Sequence, residues 1–243
     1  HLPFVMGQDN AKLSKRNGEV SIAWYRDKGF LPEAICNYLA LLGWSPGDDR
    51  ENVTMKELTE LFTVEKVHSS PARFDMKKLE AINGDKIRAL TIDEFLDWSL
   101  PFLTKAGVIT GSADEIALVK LALPLIQERI IMLSEVPAML KFLFVKNFAV
   151  EADSVAKITD DASKQVLERS LKELEPLATW THESIEAALR SSLIEEMGLK
   201  PRIAFGAVRI ATTGSTISPP LFESMELLGK EASLARIRAG LEL

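Results

Sequence analysis

The sequence predicts a predominantly α-helical fold, and three observations support this prediction. Apolar residues recur at helical spacing beyond Gly111, patterns typical of helix N-termini recur along the chain, and clear alternating strands are almost absent. The length of 243 residues fits one large domain or two small ones, and 47% hydrophobic with 26% charged residues is typical of globular proteins. We therefore expect a helical globular protein with at most a short hairpin near the N-terminus.

Local signals mark where several helices begin. Pro32 suits a first helical position, because proline has no backbone N–H to leave unsatisfied there. Thr54, Thr91 and Ser112 are each followed three residues later by glutamate, which is the pattern of a capping box. Asp75 is a further candidate N-cap, with Phe74 before it. These signals predict a series of short helices in the N-terminal half.

Two segments have some strand character. The first is Glu19–Trp24, which would supply the short N-terminal hairpin, and the second is Lys200–Ile210. The second segment has Pro201 at a helix start and Gly214 where a helix would end, so we predict a helix there. Linkers are predicted at about residues 110 and 178, where glycine, proline and threonine interrupt the apolar pattern.

The small number of cysteines and histidines argues against a disulfide-stabilised protein and against a zinc protein. A single cysteine, Cys36, cannot form an internal disulfide, and His1, His68 and His182 give it no zinc ligand set. No metal site is predicted, and a cytoplasmic protein fits best.

No window has the roughly 20 apolar residues that a membrane span requires, so no membrane partner is expected. Because the sequence opens with histidine and no leader pattern, we expect it to be a piece of something longer.

The charges are unevenly distributed along the chain. The net charge is −6, which argues against general attraction to nucleic acid. Between residues 198 and 222, however, the only charged residues are Lys200, Arg202 and Arg209. Residues 160–196 are predominantly acidic. This segregation predicts a surface that could hold a polyanion on one side.

The segment Lys12-Leu13-Ser14-Lys15-Arg16 is the most unusual stretch of the sequence. It places three cations and a serine within five residues between Gly7 and Gly18. Such a loop could surround a phosphate with point charges. A solvated basic terminus would have the same composition, and spacing alone does not decide between the two.

Lys12–Arg16 resembles the second catalytic motif of class I aminoacyl-tRNA synthetases, written KMSKS in general and KLSKR in the bacterial glutamyl-tRNA synthetases. Further blocks resemble that family in the same order. They are His1–Pro3, Gly29–Ala34, Asn37–Trp44, Phe74–Leu79 with Asn83, Ala207–Gly214, and Ser218–Glu223 with Leu228-Gly229. The resemblance spans nearly the whole chain. Asn17 stands where the family usually has histidine, and Ala81, which we expect to be a packing position, stands where it usually has tryptophan.

The resemblance implies a domain organisation. Residues 1–19 would be the loop remnant of a catalytic domain, and residues 20–110 a stem-contact domain. An all-α anticodon-binding domain would follow as two helical lobes, at 111–178 and 179–243. The N-terminal catalytic Rossmann domain would be absent.

The resemblance also implies an activity, namely ATP-dependent activation of glutamate and its transfer to tRNA. Lys15, helped by Lys12, would stabilise negative charge on the pyrophosphate; Ser14 would fix the loop, and Arg16 would join them in binding ATP. ATP would act with Mg²⁺ in the full-length enzyme. The sequence contains no HIGH-like motif, so we expect this chain alone to be inactive, to hold no cofactor and to be a monomer.

Recognition of tRNA is the function expected of the chain itself. Arg129 and Arg209 are where members of the resembled family place base contacts, and Lys200 and Arg202 are predicted to bind tRNA with them. Arg129 could equally form a surface ion pair with Glu128 or near Glu135. The glutaminyl enzymes share the loop but have a distal β-barrel, which the helical periodicity disfavours. An all-α protein-interaction scaffold, with its arginines paired and no RNA or nucleotide function, is the alternative.

Overall fold

A computed structural model gives the fold and describes residues 5–7, 21–68 and 72–243. Helices dominate this part of the chain, which confirms the predominantly α fold, and none of them is long and apolar enough to cross a membrane. Numbered in chain order, they are α1 Ile22–Lys28, α2 Pro32–Leu41, α3 Met55–Leu61, α4 Met76–Ala89, α5 Ile92–Lys105, α6 Ala113–Ala122, α7 Pro124–Gln127, α8 Val136–Leu140, α9 Ala152–Val155, α10 Asp161–Leu174, α11 His182–Leu189, α12 Pro201–Thr213, α13 Leu221–Leu228 and α14 Lys230–Leu241. A π-helical segment, Arg190–Glu196, follows α11.

No hairpin is found among the described residues. The strands in the described residues are β1 (Val5–Met6) and β2 (Ala72–Arg73), and they pair in parallel, which a tight turn cannot connect. The candidate strand at Glu19–Trp24 becomes a helix start where the structure describes it. The Ser21 side chain accepts a hydrogen bond from the Trp24 backbone N–H at 3.1 Å and so caps α1.

The predicted N-caps at Thr54, Asp75 and Ser112 are confirmed. Thr54 and Ser112 form reciprocal capping boxes with Glu57 and Glu115, and Asp75 caps α4. Hydrogen bonds donated by the Thr54 backbone N–H and hydroxyl lower the pKa of Glu57 to about 2. The Ser112 backbone N–H does most to lower the pKa of Glu115, also to about 2. Each glutamate therefore stabilises the start of its helix when its carboxyl group is ionised.

Helix α12 confirms the prediction made for the Lys200–Ile210 segment. Pro201 is its first residue, and Gly214 follows its end with φ of +85°, in the left-handed region. A Cβ atom at this glycine would also lie 3.2 Å from the Ala149 carbonyl oxygen. Glycine therefore serves both the backbone conformation and the close approach.

The chain forms two compact units. Unit 1 consists of His1–Phe102, of which residues 5–7, 21–68 and 72–102 are described, together with Gln127–Val136. Unit 2 consists of Leu103–Ile126 and Pro137–Leu243. The division into a loop remnant, a stem-contact domain and two lobes is finer than this and stays a prediction.

Buried polar side chains organise unit 1, in which α2 packs against α4. Asn37, fully buried, donates to the Glu51 carbonyl oxygen at 2.9 Å and accepts from the Val53 N–H at 2.8 Å. The buried Lys86 ammonium donates to the Val53 carbonyl oxygen at 2.8 Å, and burial lowers its pKa. Asn83 is also fully buried. These side chains form hydrogen bonds with backbone N–H and C=O groups of loops, which have no partner within a helix or sheet.

Unit 2 is built around an apolar core. Helices α10, α12 and α14 pack on one another, and α11 packs on α13. Fully buried leucines of this core include Leu167, Leu189 and Leu193. Gly240 of α14 lies against α12, because a Cβ atom there would be 3.2 Å from the Ala211 Cβ. The absence of a side chain at Gly240 therefore sets how closely these two helices approach.

One buried cation stands beside this apolar core. The Arg236 guanidinium donates to the Thr212 carbonyl oxygen at 2.7 Å and to the Phe142 carbonyl oxygen at 2.8 Å. Its carbon Cζ also lies 3.9 Å from the centre of the Phe148 ring. Burial lowers the pKa of Arg236 to about 10. The residue thus caps the end of α12 and a neighbouring 3₁₀ turn at once.

Candidate RNA-binding surface

The predicted nucleotide loop lies outside the described residues. This holds for Lys12, Ser14, Lys15 and Arg16, and also for Asn17. Their assigned roles therefore stay predictions. Ala81, expected to be a packing position, is instead exposed on α4, because its side chain points away from the buried face that carries Ile82 and Asn83.

Arg129 is exposed in the turn that follows α7, and this turn belongs to unit 1. Within the described residues it has no hydrogen-bond or ion-pair partner. Glu135, which was one candidate partner, instead accepts a hydrogen bond from the Met132 backbone N–H at 3.1 Å. Burial raises the pKa of this carboxyl group. The guanidinium of Arg129 is therefore left open to solvent and available to a ligand.

Lys200 and Arg202 are exposed at the N-terminus of α12. Neither has an ion-pair partner in the part of the chain that the structure describes, and the first turn of α12 contains no acidic residue. The N-terminus of a helix carries partial positive charge, so cations placed there add to its potential instead of balancing it. This combination favours an anionic ligand such as a phosphate group.

Arg209 lies in the third turn of α12 and is half-buried. Its Nη1 donates to the Ser218 hydroxyl oxygen at 2.6 Å and to the Pro219 carbonyl oxygen at 2.8 Å. These bonds fix the loop that follows α12, on which Ile217 is 74% exposed. In this conformation Arg209 positions a loop, and its role as a base contact stays a prediction.

The sequence did not single out the aromatic and cationic group beside α12. The Phe205 and Phe222 rings pack edge to face with centroids 5.2 Å apart. The Arg190 guanidinium lies 5.8 Å from the Phe205 centroid, while also forming an ion pair with Glu186. Only the Glu186–Arg190 spacing of four residues was visible in the sequence, since the two rings come from different helices.

Across residues 5–7, 21–68 and 72–243, no three histidine, cysteine or acidic side chains are grouped as metal ligands. The chemistry that the described residues offer is that of exposed guanidinium and ammonium groups.

Comparisons with known proteins identify the family. Residues 92–241 match the family model described as "Anticodon binding domain", and residues 1–81 match "tRNA synthetases class I (E and Q), catalytic domain". Glutamate–tRNA ligase of Saccharopolyspora erythraea is 50% identical over 244 residues, covering 99% of this chain and 48% of the relative. That of Paenarthrobacter aurescens is 48% identical over 250 residues, with coverages of 98% and 48%. The chain belongs to the glutamate–tRNA ligase family.

Solved structures of this ligase family agree. The glutamate–tRNA ligase of Elizabethkingia meningosepticum, solved with its amino acid, has a TM-score of 0.81 at 25% identity, covering 100% of this chain and 51% of that one. The enzyme of Elizabethkingia anophelis has a TM-score of 0.78 at 25% identity, with coverages of 100% and 50%. The chain spans about half the length of the ligases it matches.

Membership of the ligase family agrees with the helical distal region. From Met76 to Leu243, all of which the structure describes, the chain forms helices and loops without a strand. This excludes the distal β-barrel of the glutaminyl enzymes for that stretch. The four basic residues predicted to bind tRNA also lie inside the region matched by the anticodon-binding model. They are Arg129, Lys200, Arg202 and Arg209.

Proposed function

We propose that this chain is the tRNA-binding part of a glutamate–tRNA ligase and holds both the stem and the anticodon of the tRNA. The observation that carries the proposal is that Arg129, Lys200 and Arg202 are exposed and have no ion-pair partner among the described residues. An interaction scaffold with its arginines paired predicts the opposite. The match of residues 92–241 to an anticodon-binding domain supports the same choice.

The division of labour among these cations follows from their chemistry. Lys200 and Arg202, beside the helix N-terminus, would neutralise backbone phosphates, which contributes affinity but carries no sequence information. Arg129, a planar donor in an exposed turn, would hydrogen-bond the edge of an unstacked anticodon base. Arg209 would act by holding the Ser218–Pro219 loop in place.

The loop at Lys12–Arg16 would contribute to the chemistry of the full-length enzyme. There, ATP with Mg²⁺ and glutamate would be substrates, and Lys15 with Lys12 would stabilise the negative charge that develops on the departing pyrophosphate. Ser14 and Arg16 would complete the contacts to ATP. The 243 residues contain no HIGH-like motif, so this chain alone should not charge tRNA. A monomeric, cytoplasmic enzyme completes the proposal.

The test is tRNA binding measured by fluorescence at about 50 mM and about 200 mM salt. Affinity should be saturable and should fall steeply as salt rises, because binding to phosphates releases counterions. Replacing both Lys200 and Arg202 by glutamine should reduce the log–log salt slope by about 2, since each phosphate that is no longer neutralised lowers it by close to 1. A control replaces Lys172, which is exposed in the predominantly acidic segment 160–196, by glutamine and should leave the slope unchanged. The absence of saturable binding by the unsubstituted chain would contradict the proposal.

A further inference from the structure

The turn that carries Arg129 is hydrogen-bonded to α4 through one buried amide. Asn83, which is fully buried, donates from Nδ2 to the Ile131 carbonyl oxygen at 2.5 Å. Its Oδ1 accepts from the Leu31 backbone N–H at 2.8 Å, and Nδ2 also lies 3.4 Å from the Gly29 carbonyl oxygen. One side chain thus connects the start of α2, helix α4 and the backbone two residues beyond Arg129.

Further contacts hold the same turn from both of its ends. Before the turn, the Gln127 amide donates to the Ile87 and Leu90 carbonyl oxygens at 2.9 and 2.8 Å. After it, the Leu133 backbone N–H donates to the Gly29 carbonyl oxygen at 3.2 Å. The turn is therefore tied to unit 1 immediately before and after its one exposed arginine.

Two glycines allow the turn to lie this close. A Cβ atom at Gly29, whose φ is +86°, would lie 2.5 Å from the Leu133 backbone nitrogen. A Cβ atom at Gly84, next to Asn83, would lie 3.1 Å from the Ile131 Cγ2. A Cβ atom at either glycine would therefore lie closer to the turn than ordinary van der Waals contact allows. The backbone around Arg129 is consequently seated against its neighbours and has little freedom to shift.

We propose that Asn83 is a positioning residue for base recognition by Arg129. The inference rests on the proposed function, since it requires Arg129 to contact an anticodon base. A bidentate contact needs the planar guanidinium in one orientation, and a displacement of its backbone by a fraction of an ångström would misalign it. The Asn83 amide supplies that constraint, because the turn has no helix or sheet of its own between Gln127 and Leu133.

Asn37 provides a matched control. Like Asn83, it is fully buried in unit 1, accepts from one backbone N–H and donates to backbone carbonyl oxygen, to one such oxygen where Asn83 has two. Its partners, Glu51 and Val53, lie in the loop before α3 and not in the Arg129 turn. Replacement by aspartate keeps the size and the accepting oxygen at either position but removes the donor. Asn83→Asp and Asn37→Asp should therefore destabilise the fold in the same way and differ only in the segment that is released.

The experiment measures tRNA affinity for the 243-residue chain, using glutamate tRNA and three variants that each carry one substituted anticodon base. The readout is the ratio of Kd for substituted and native tRNA, which does not depend on the fraction of folded protein. We expect Arg129→Gln to reduce this ratio about tenfold at one anticodon position. Asn83→Asp should reduce it by about three- to tenfold at that same position, and Asn37→Asp should leave it unchanged. In the Arg129→Gln background, Asn83→Asp should have no further effect.

Two outcomes would overturn the inference while leaving the proposed function intact, namely an unchanged ratio in Asn83→Asp and an equal reduction in Asn83→Asp and Asn37→Asp. An unchanged ratio in Arg129→Gln, when the unsubstituted chain discriminates, would overturn the inference together with the base contact proposed for Arg129. If Asn83→Asp does not fold, Gln127→Met, which removes a partly buried donor to α4, takes its place with the same expectations. If the unsubstituted chain does not bind tRNA at all, the proposed function fails, and the inference with it.

Discussion

Units 1 and 2 both bury apolar side chains, and they differ in what their buried polar side chains bind. In unit 1, Asn37, Asn83 and Lys86 are buried and bind the backbone of loops that lie between the helices. In unit 2, a continuous apolar core fills the space among α10–α14, and Arg236 is the notable buried cation beside it. Unit 1 has long irregular segments, such as 42–54, while the helices of unit 2 from α10 onward follow one another more closely.

The difference shows what each architecture requires. Irregular backbone that becomes buried must have its N–H and C=O groups satisfied, and side-chain amides do this where no helix can. Close-packed helices satisfy their own backbone and gain most of their stability from apolar burial. Loss of a buried amide should therefore release a loop in unit 1, and loss of a buried apolar side chain should remove packing in unit 2.

The largest effect is expected for Leu167→Ala in the core of unit 2. Leu167 is fully buried in α10, so truncation removes apolar packing and leaves a cavity. We expect a loss of about 2–5 kcal/mol in the free energy of unfolding. The control is Leu121→Ala in the same unit, where the side chain is 65% exposed and the change should stay within about 0.5 kcal/mol. Urea denaturation measures both, and equal losses would contradict the comparison.

A smaller effect is expected for Arg236→Met, which removes the buried cation of unit 2. The carbonyl oxygens of Thr212 and Phe142 would lose a charged donor, and such bonds contribute roughly 1.5–3 kcal/mol. Arg238→Met is the matched control on the same helix, since Arg238 is exposed and pairs with Glu175 at the surface. That change should cost about 0–1 kcal/mol. If the two variants unfold at the same urea concentration, the guanidinium at Arg236 does not stabilise the unit.

The smallest effect concerns acid sensitivity, which the two units share. The folded-state pKa values of Glu57 in unit 1 and Glu115 in unit 2 are about 2, below their ordinary value of 4.5. A depressed carboxyl pKa stabilises the fold above the unfolded value, and that stability is lost as the pH falls from 4.5 towards 2. Thermal unfolding of Glu115→Gln should therefore depend less on pH in this window than that of the unsubstituted chain.

The control for this measurement is Glu65→Gln. Glu65 is exposed and has no hydrogen-bond or ion-pair partner among the described residues. Its replacement should leave the slope of Tm against pH unchanged. An identical slope in Glu115→Gln and the unsubstituted chain would show that the capping box contributes no acid-labile stability. The corresponding Glu57→Gln variant then tests whether unit 1 responds as unit 2 does.

Local features of this fold could be predicted from the sequence, and long-range ones could not. The caps at Thr54 and Ser112 were predictable because donor and acceptor lie within one helical turn. Asn83 bonds Leu31, 52 residues away, and Arg236 bonds Phe142, 94 residues away, so no local pattern records either contact. The parallel pairing of β1 with β2 is also a long-range contact, since β2 follows α3.

The same distinction applies to the candidate site, where residue types were known from the sequence and contacts were not. The residue types at Arg129, Lys200 and Arg202 indicated RNA binding, and their lack of ion-pair partners among the described residues could be established only from the structure. The engagement of Arg209 with Ser218 and Pro219 required knowledge of how the chain turns after α12. Exposure and pairing are properties of the folded chain, and charge patterning along the sequence does not fix them.

The close approach of Gly240 to Ala211 has an evolutionary consequence. Because a Cβ at residue 240 would lie 3.2 Å from the Ala211 Cβ, enlargement of one position is best accommodated by reduction of the other. Homologous sequences should therefore substitute these positions in a correlated way. A lineage that gains a side chain at position 240 without losing one at position 211 would need α12 and α14 to separate slightly.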